Sequence, residues 1–194
     1  MISRTLNGKH IILASQSPRR QYLLKELGLD FDILEPNVNE VFPEGLRPDE
    51  IAIYLAELKA NSIDISLMDD NTIVITADTI VYIENEVLGK PMNYNDAVAM
   101  LQKLSGRKHD VITAVCLVST QKKCVFHVLS SVFFKELNTE EIEYYIQNFH
   151  PFDKAGGYGI QEWIGYIGIN KIEGSFFNVM GLPVKELYEQ LLNF

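Results

Sequence analysis

TIVITADTIVYI, residues 72 to 83, is the stretch on which the fold turns. Its density of β-branched side chains makes it a strand, and Glu84-Asn85-Glu86 supplies a turn into a short return strand ending at Leu88. Upstream, HIILAS (residues 10 to 15) reads as a first strand that stops at Ser-x-Ser-Pro-Arg-Arg. A helix should follow, because Ser17 can cap it, Pro18 suits its first position, and Arg20, Leu23, Leu24 and Leu27 fall on one stripe before Gly28. Phe31 to Leu34 is the next strand, and Pro48 opens a second helix whose Ile51, Tyr54, Leu55 and Leu58 share a face. Downstream, Ala97, Met100, Leu101 and Leu104 keep helical spacing up to Gly106. Two long strands, His109 to Ser119 and Cys124 to Lys135, should pair antiparallel through the turn Thr120 to Lys123. Asn138 and Glu141 form a variant capping box for a helix bearing Ile142, Tyr145, Ile146 and Phe149. His150 to Tyr158 is a loop, with strand-like segments after it at Ile167 to Ile172 and Phe176 to Met180. Pro183 starts a last helix carrying Val184, Leu187, Tyr188 and Leu191. Strands and helices that interleave, with hairpins among them, give an α/β fold with a mixed sheet flanked by helices.

The chain has 194 residues, 47% of them hydrophobic, enough for one substantial core, and residues 1 to 194 read as a single domain. No apolar run approaches the ~20 residues of a membrane span. The amino terminus, MISRTLNGKH, lacks the apolar stretch of a secretory signal, so a cytoplasmic protein is expected. Cys116 and Cys124 are then simplest as free thiols. His10, His109, His127 and His150 show no metal-ligand spacing. A formal charge of −9 argues against a nucleic acid polymer as partner. A small polyanion stays open, because a few local cations and a bound metal ion can dominate the potential at a site.

Several residues stand out chemically. Ser15, Ser17, Arg19 and Arg20 crowd a junction between a strand's carboxyl end and a helix's amino end, which either cradles an anion or is a plain capped start. Asp78 lies in the middle of an apolar strand, where an unpaired carboxylate would cost several kcal/mol, so it requires a metal ion, a substrate-bound cation or a buried Arg or Lys. Alternation puts Thr76 and Asp78 on one face and Thr79 on the other. Glu40, Lys59 and Lys90, each taken alone, are more simply solvated surface residues. Asp153-Lys154-Ala155-Gly156-Gly157-Tyr158-Gly159-Ile160-Gln161 is dense enough in glycine for backbone to approach a ligand, or for a tight turn.

Taken in order, LASQSPRR (13 to 20), ADT (77 to 79), GKP (89 to 91), LSGRKHDVITAV (104 to 115), DKAGGYGIQ (153 to 161) and NVMGLP (178 to 183) resemble the Maf family over almost the whole chain. That resemblance implies a Maf/ITPase-like fold with a substrate cleft between two lobes, a divalent cation (Mg²⁺ or Mn²⁺), and hydrolysis of a nucleoside triphosphate between its α and β phosphates. By the same resemblance, Asp78 is the proton acceptor and Glu40 is one of the residues lining the site; Glu40 and Asp78, with substrate oxygens, are the candidate metal ligands, and Asp78 serves as base, as ligand, or as both through a shared water. Ser15, Arg20, Lys59, Lys90 and Gln161 line the phosphate, metal and base site, and Arg19, Thr79 and Gln161 bear on base choice. The YGIQ ending is similar to the branch acting on dTTP and UTP, although Glu162-Trp163-Ile164 replaces the glycine-rich continuation expected there. A homodimer and a role in nucleotide house-cleaning or division control are also implied. The alternatives are a pyrophosphatase of the 7-methyl-GTP or CTP type and a non-catalytic nucleotide-binding regulator of septum formation.

Overall fold

A computed structural model describes Leu6 and residues 8 to 194. The reading of the amino terminus as free of a secretory signal falls mainly on residues 1 to 5 and 7, outside the described residues. In chain order the elements are β1 (His10–Ala14), α1 (Pro18–Glu26), β2 (Asp32–Leu34), α2 (Pro48–Asn61), β3 (Thr72–Ile83), β4 (Glu86–Leu88), α3 (Tyr94–Leu104), β5 (Lys108–Val118) and β6 (Lys123–Phe134). They continue with α4 (Thr139–Phe149), α5 (Trp163–Gly168), β7 (Ile169–Glu173), α6 (Phe176–Met180) and α7 (Val184–Leu192), with short 3₁₀ turns at Ile65–Leu67, Pro151–Asp153 and Ala155–Gly157.

The seven strands form one mixed sheet in the order β2-β1-β3-β5-β6-β7, with β4 paired to β3. β1 runs parallel to both β2 and β3, with Leu13 opposite Ile33 and Ile75. β4 and β7 run antiparallel to β3 and β6. The β3–β4 turn forms because Glu84 and Asn85 take φ of 49° and 66°, the left-handed pair that a tight hairpin requires. β5 and β6 meet through the turn closed by Ser119 N–H donating to Lys122 O at 2.9 Å. So short a connection joins only antiparallel neighbours.

The chain divides into two compact units. One comprises the chain up to Asp78, Thr113–Val128 and Gly181–Phe194. Its core is built from Leu13, Leu24, Leu55, Ile73, Ile75, Leu117 and Leu187. The other comprises Thr79–Ile112 and Leu129–Met180, with Leu101, Leu104, Tyr145, Ile146 and Ile164 fully buried.

Three expectations about these elements need correction. Phe176–Met180 is a short helix and not a strand, and a helix, Trp163–Gly168, precedes the strand that begins at Ile169. Aromatic and β-branched composition suggested strands there. Local backbone geometry decided otherwise: a Cβ on Gly165 would lie 1.8 Å from Ile160 O, so α5 packs its own backbone against the preceding loop where only glycine fits. In α2 the buried stripe is Ile51, Ala52, Leu55, Ala56, Lys59 and Ala60, while Tyr54 is exposed.

Candidate active site

In the first unit, the sequence builds a charged cluster from one strand, one helix end and one loop. β3 presents Thr76 and Asp78 on the same face, as alternation requires, and both bond to α2: Thr76 Oγ1 donates to Ala56 O at 2.7 Å and Asp78 Oδ1 accepts from Lys59 Nζ at 2.5 Å. Lys59 is three residues on from Ala56, so one helical turn supplies both contacts. The Lys59 and Asp78 side chains are 8% and 10% exposed, which makes this a buried ion pair. Glu40, in the loop before α2, places Oε1 2.7 Å from the same ammonium, with its side chain 41% exposed. The expectation that Lys59 and Glu40 are ordinary surface residues is therefore overturned for Lys59. It supplies the partner that Asp78 requires.

Arg20 joins this cluster from α1. Ser17 caps the helix by accepting from Arg20 N–H at 3.5 Å, and Ser15 Oγ accepts from Ser17 N–H at 3.2 Å. The guanidinium is then fixed by carbonyls: Nε donates to Gly181 O and Nη1 to Ala77 O, both at 2.8 Å, with Ser15 Oγ at 3.4 Å from Nη1. Burial pulls the Arg20 pKa down, and the nearby Asp78 and Glu40 carboxylates oppose that pull while Arg19 adds to it. Arginine keeps its proton against such a shift, so a permanent cation faces the carboxylates. Ser15, Arg20, Glu40, Lys59 and Asp78 thus converge, and Arg19 is the immediate neighbour of Arg20.

Glu40 and Asp78 meet at one cation. Two carboxylates are hard oxygen donors of the kind that Mg²⁺ or Mn²⁺ takes together with phosphate oxygens and water, so the chemistry of these residues fits a divalent ion. Among the described residues no group of three or more His, Cys, Asp or Glu side chains is close enough to form an all-protein metal cage.

The second unit holds Thr79, Lys90 and Gln161. Thr79 is half-buried on β3, and Lys90 is exposed just after β4. The glycine-dense segment lies against the Lys90 turn, because Gly156 N–H donates to Gly89 O at 3.0 Å. Gly156 takes φ of +70° and its missing Cβ lets it sit on Val81, where an added carbon would lie 3.1 Å from the valine methyls. The turn carrying Lys90 and the loop carrying Gln161 are hence one construction. Gln161 itself is half-buried, and its Oε1 is buried without a hydrogen-bond partner.

Residue types alone did not reveal what holds that loop. Lys154 is buried, with Nζ 2.7 Å from Asp153 Oδ1 and 3.1 Å from Glu162 Oε1. Tyr145 of α4 accepts from Gly159 N–H at 2.9 Å and donates its hydroxyl to Glu162 Oε2. Burial first, and the Glu162 hydrogen bond second, push the Tyr145 pKa up, so the hydroxyl stays protonated. Tyr158 packs edge-on against His109 and Phe134, and its hydroxyl lies 2.7 Å from His109 Nε2. Burial lowers the His109 pKa to about 4. The only advance sign was Tyr145 on the apolar stripe of α4, which reads as core.

A sequence model of the family described as Maf-like protein matches residues 10–194. A dTTP/UTP pyrophosphatase of Flavobacterium psychrophilum is 49% identical over 193 residues, spanning 100% of this chain and 98% of its own length. The dTTP/UTP pyrophosphatase of Christiangramia forsetii is 50% identical over 191 residues, 98% of this chain and 97% of its own. Among solved structures, the Staphylococcus aureus Ham1 protein superposes with a TM-score of 0.52 over 94% of this chain and 100% of its own, at 17% identity. That likeness concerns the fold alone.

Proposed function

The chain belongs to the Maf-like family, and on that premise we propose that it is a nucleoside triphosphate pyrophosphatase that hydrolyses dTTP and UTP to the monophosphate and pyrophosphate. Relatives named dTTP/UTP pyrophosphatase that align from end to end support the reaction and the substrates. The observation that carries the chemistry is the Lys59 ammonium held between Asp78 and Glu40 beside Arg20.

In this reading Asp78 accepts a proton from the water that attacks the α-phosphorus. The bond from that phosphorus to the α–β bridging oxygen breaks, the monophosphate gains the water's oxygen, and pyrophosphate leaves with the bridging oxygen. Lys59 holds the Asp78 carboxylate fixed in a buried position, as a positioned general base requires. A divalent cation, Mg²⁺ or Mn²⁺, held by Glu40 and Asp78 would offset the negative charge of the triphosphate. Arg20, already immobilised by Ala77 and Gly181, presents its charge to phosphate oxygens without further ordering cost, and Lys90 adds a second cation. Ser15 orients Arg20, and Arg19, Thr79 and Gln161 bear on the base. A cytoplasmic homodimer completes the reading; no described helix is long and apolar enough to cross a membrane.

Pyrophosphate release assayed from dTTP, UTP, CTP and 7-methyl-GTP, with and without Mg²⁺ or Mn²⁺, tests the proposal. Release from dTTP and UTP that depends on the metal is expected. Preference for CTP or 7-methyl-GTP would reassign the substrate, and nucleotide binding with no release at any metal concentration would make the protein a regulator.

A further inference from the structure

Gln161 is the last residue of the glycine-dense segment, and an orphaned amide oxygen inside a protein asks for a donor from outside it. Thymine and uracil carry an N–H at ring position 3, where cytosine presents a bare acceptor nitrogen, so an acceptor at a fixed point separates these bases. Its power to separate them depends on how tightly it is held. The backbone next to it is held unusually well. Gly159 N–H donates to Tyr145 Oη, Tyr145 Oη donates to Glu162 Oε2, Glu162 Oε1 meets Lys154 Nζ, and Glu162 N–H returns to Gly159 O at 3.0 Å. Both ends of the Gly159-Ile160-Gln161 arc are thereby tied to one carboxylate and one phenol. Glu162 also occupies the space over Gly159, where an added Cβ would sit 2.7 Å from its Cδ. Tyr145 is fully buried and stacks on Phe149 at 5.3 Å, so its hydroxyl has no freedom to follow a moving loop.

We infer that Tyr145 and Glu162, with Lys154 behind them, are positioning residues that set base selectivity by pinning the Gly159–Gln161 backbone and so fixing where the Gln161 acceptor stands. The inference rests on the proposed function for its substrates, and on the hydrogen-bond chain for its mechanism. Neither residue touches the reacting phosphates in this account, so loosening the clamp acts on discrimination between bases before it acts on the chemical step.

The test uses the full-length protein and Tyr145→Phe, which keeps the ring and its stacking and removes the one oxygen that serves both Gly159 and Glu162. For this variant kcat/KM for UTP relative to CTP should fall about tenfold, the loss of a hydrogen bond worth roughly 1.4 kcal/mol, with most of the loss in KM for UTP. Glu162→Gln can still accept from the phenol but turns its amide nitrogen toward Lys154 Nζ, so it should lose less of the ratio than Glu162→Leu, which should lose it as Tyr145→Phe does. Hydrogen exchange on the nucleotide-free protein gives a reading independent of activity: the Gly159 amide should exchange at least tenfold faster in Tyr145→Phe, and in Glu162→Leu if the former folds poorly. An unchanged UTP to CTP ratio together with an equally protected Gly159 amide in a folded variant would overturn the inference. If the unaltered protein released no pyrophosphate from either nucleotide, the proposed function would fall, while amide exchange would still decide whether the clamp exists.

Discussion

Replacing Lys59 by Met keeps a long unbranched stem in place and deletes only the ammonium, so its effect isolates the charge that holds Asp78. The geometry sets the magnitude. The Asp78 carboxylate is 10% exposed and bonds to Lys59 at 2.5 Å, so the variant leaves an anion in a poorly hydrated place, where breaking a buried pair costs about 3–5 kcal/mol. The Glu40 arm adds little, because that side chain is 41% exposed and an ion pair open to water is worth about 0–1 kcal/mol. The Arg20 guanidinium still attracts Asp78 after the change, which puts the expectation at the lower end, about 3 kcal/mol. For a domain of this size that is a fall in Tm of roughly 6–12 °C. Urea denaturation of the parent, Lys59→Met, Asp78→Asn and the double variant gives the cycle: the double variant should recover much of the loss, with a coupling of at least about 2 kcal/mol. A loss below about 1 kcal/mol in Lys59→Met, with effects that simply add in the double variant, would refute the claim that Lys59 is the structural counter-ion of Asp78.

A histidine that stays neutral in the folded state penalises folding in acid. His109 titrates at about 4 in the fold against 6.5 for the free side chain, so stability is unaffected above about pH 6.5 and is lost as pH falls toward 4, where the unfolded chain is protonated and the folded one is not. Between pH 7 and 4.5 the parent should lose about 2 kcal/mol more than His109→Phe in urea melts, and an identical pH dependence in the two would contradict the burial of a neutral imidazole. Burial pushes the Cys116 thiol up to about 11, whereas Cys124 is half-exposed, so at pH 8 a thiol reagent should modify Cys124 in the native protein and reach Cys116 only after denaturation. Equal native reactivity at both positions would show that the β5 interior is open.

Sequence reveals structure most directly where one residue's surroundings leave few choices. Asp78 in the apolar run Thr72–Ile83 demanded a cation, and the strand's alternation placed Thr76 and Asp78 together; both features are present and both contacts go to α2. Caps located α1 and α4 within a residue or two, because Ser17 and Asn138 satisfy backbone amides locally and need no tertiary help. What remained hidden was non-local. Lysine is a surface residue by habit, so Lys59 looked solvated, although it continues the Ile51, Leu55 stripe at four-residue spacing and that continuation was a usable signal. Phe176–Met180 had strand composition but too short a span for composition to outweigh packing, and it coils as a helix. The bonds from Tyr145 to Gly159 and Glu162 join residues 14 and 17 positions apart, and nothing in periodicity registers a tyrosine hydroxyl's partners.

Asp78→Asn is the change that bears most directly on the central claim, because it keeps the side chain's size, leaves Lys59 paired with Glu40 and removes the carboxylate assigned both to proton acceptance and, with Glu40, to the metal ion. Pyrophosphate released from dTTP should be measured for the parent and this variant at saturating Mg²⁺, with circular dichroism to verify that both are folded. The parent should release one pyrophosphate for each dTMP formed, and the variant's rate should be lower by at least about a hundredfold, the lower range of what a positioned general base contributes. A folded Asp78→Asn protein turning over within a few-fold of the parent would remove Asp78 from the reaction, and with it the catalytic role assigned to the cluster.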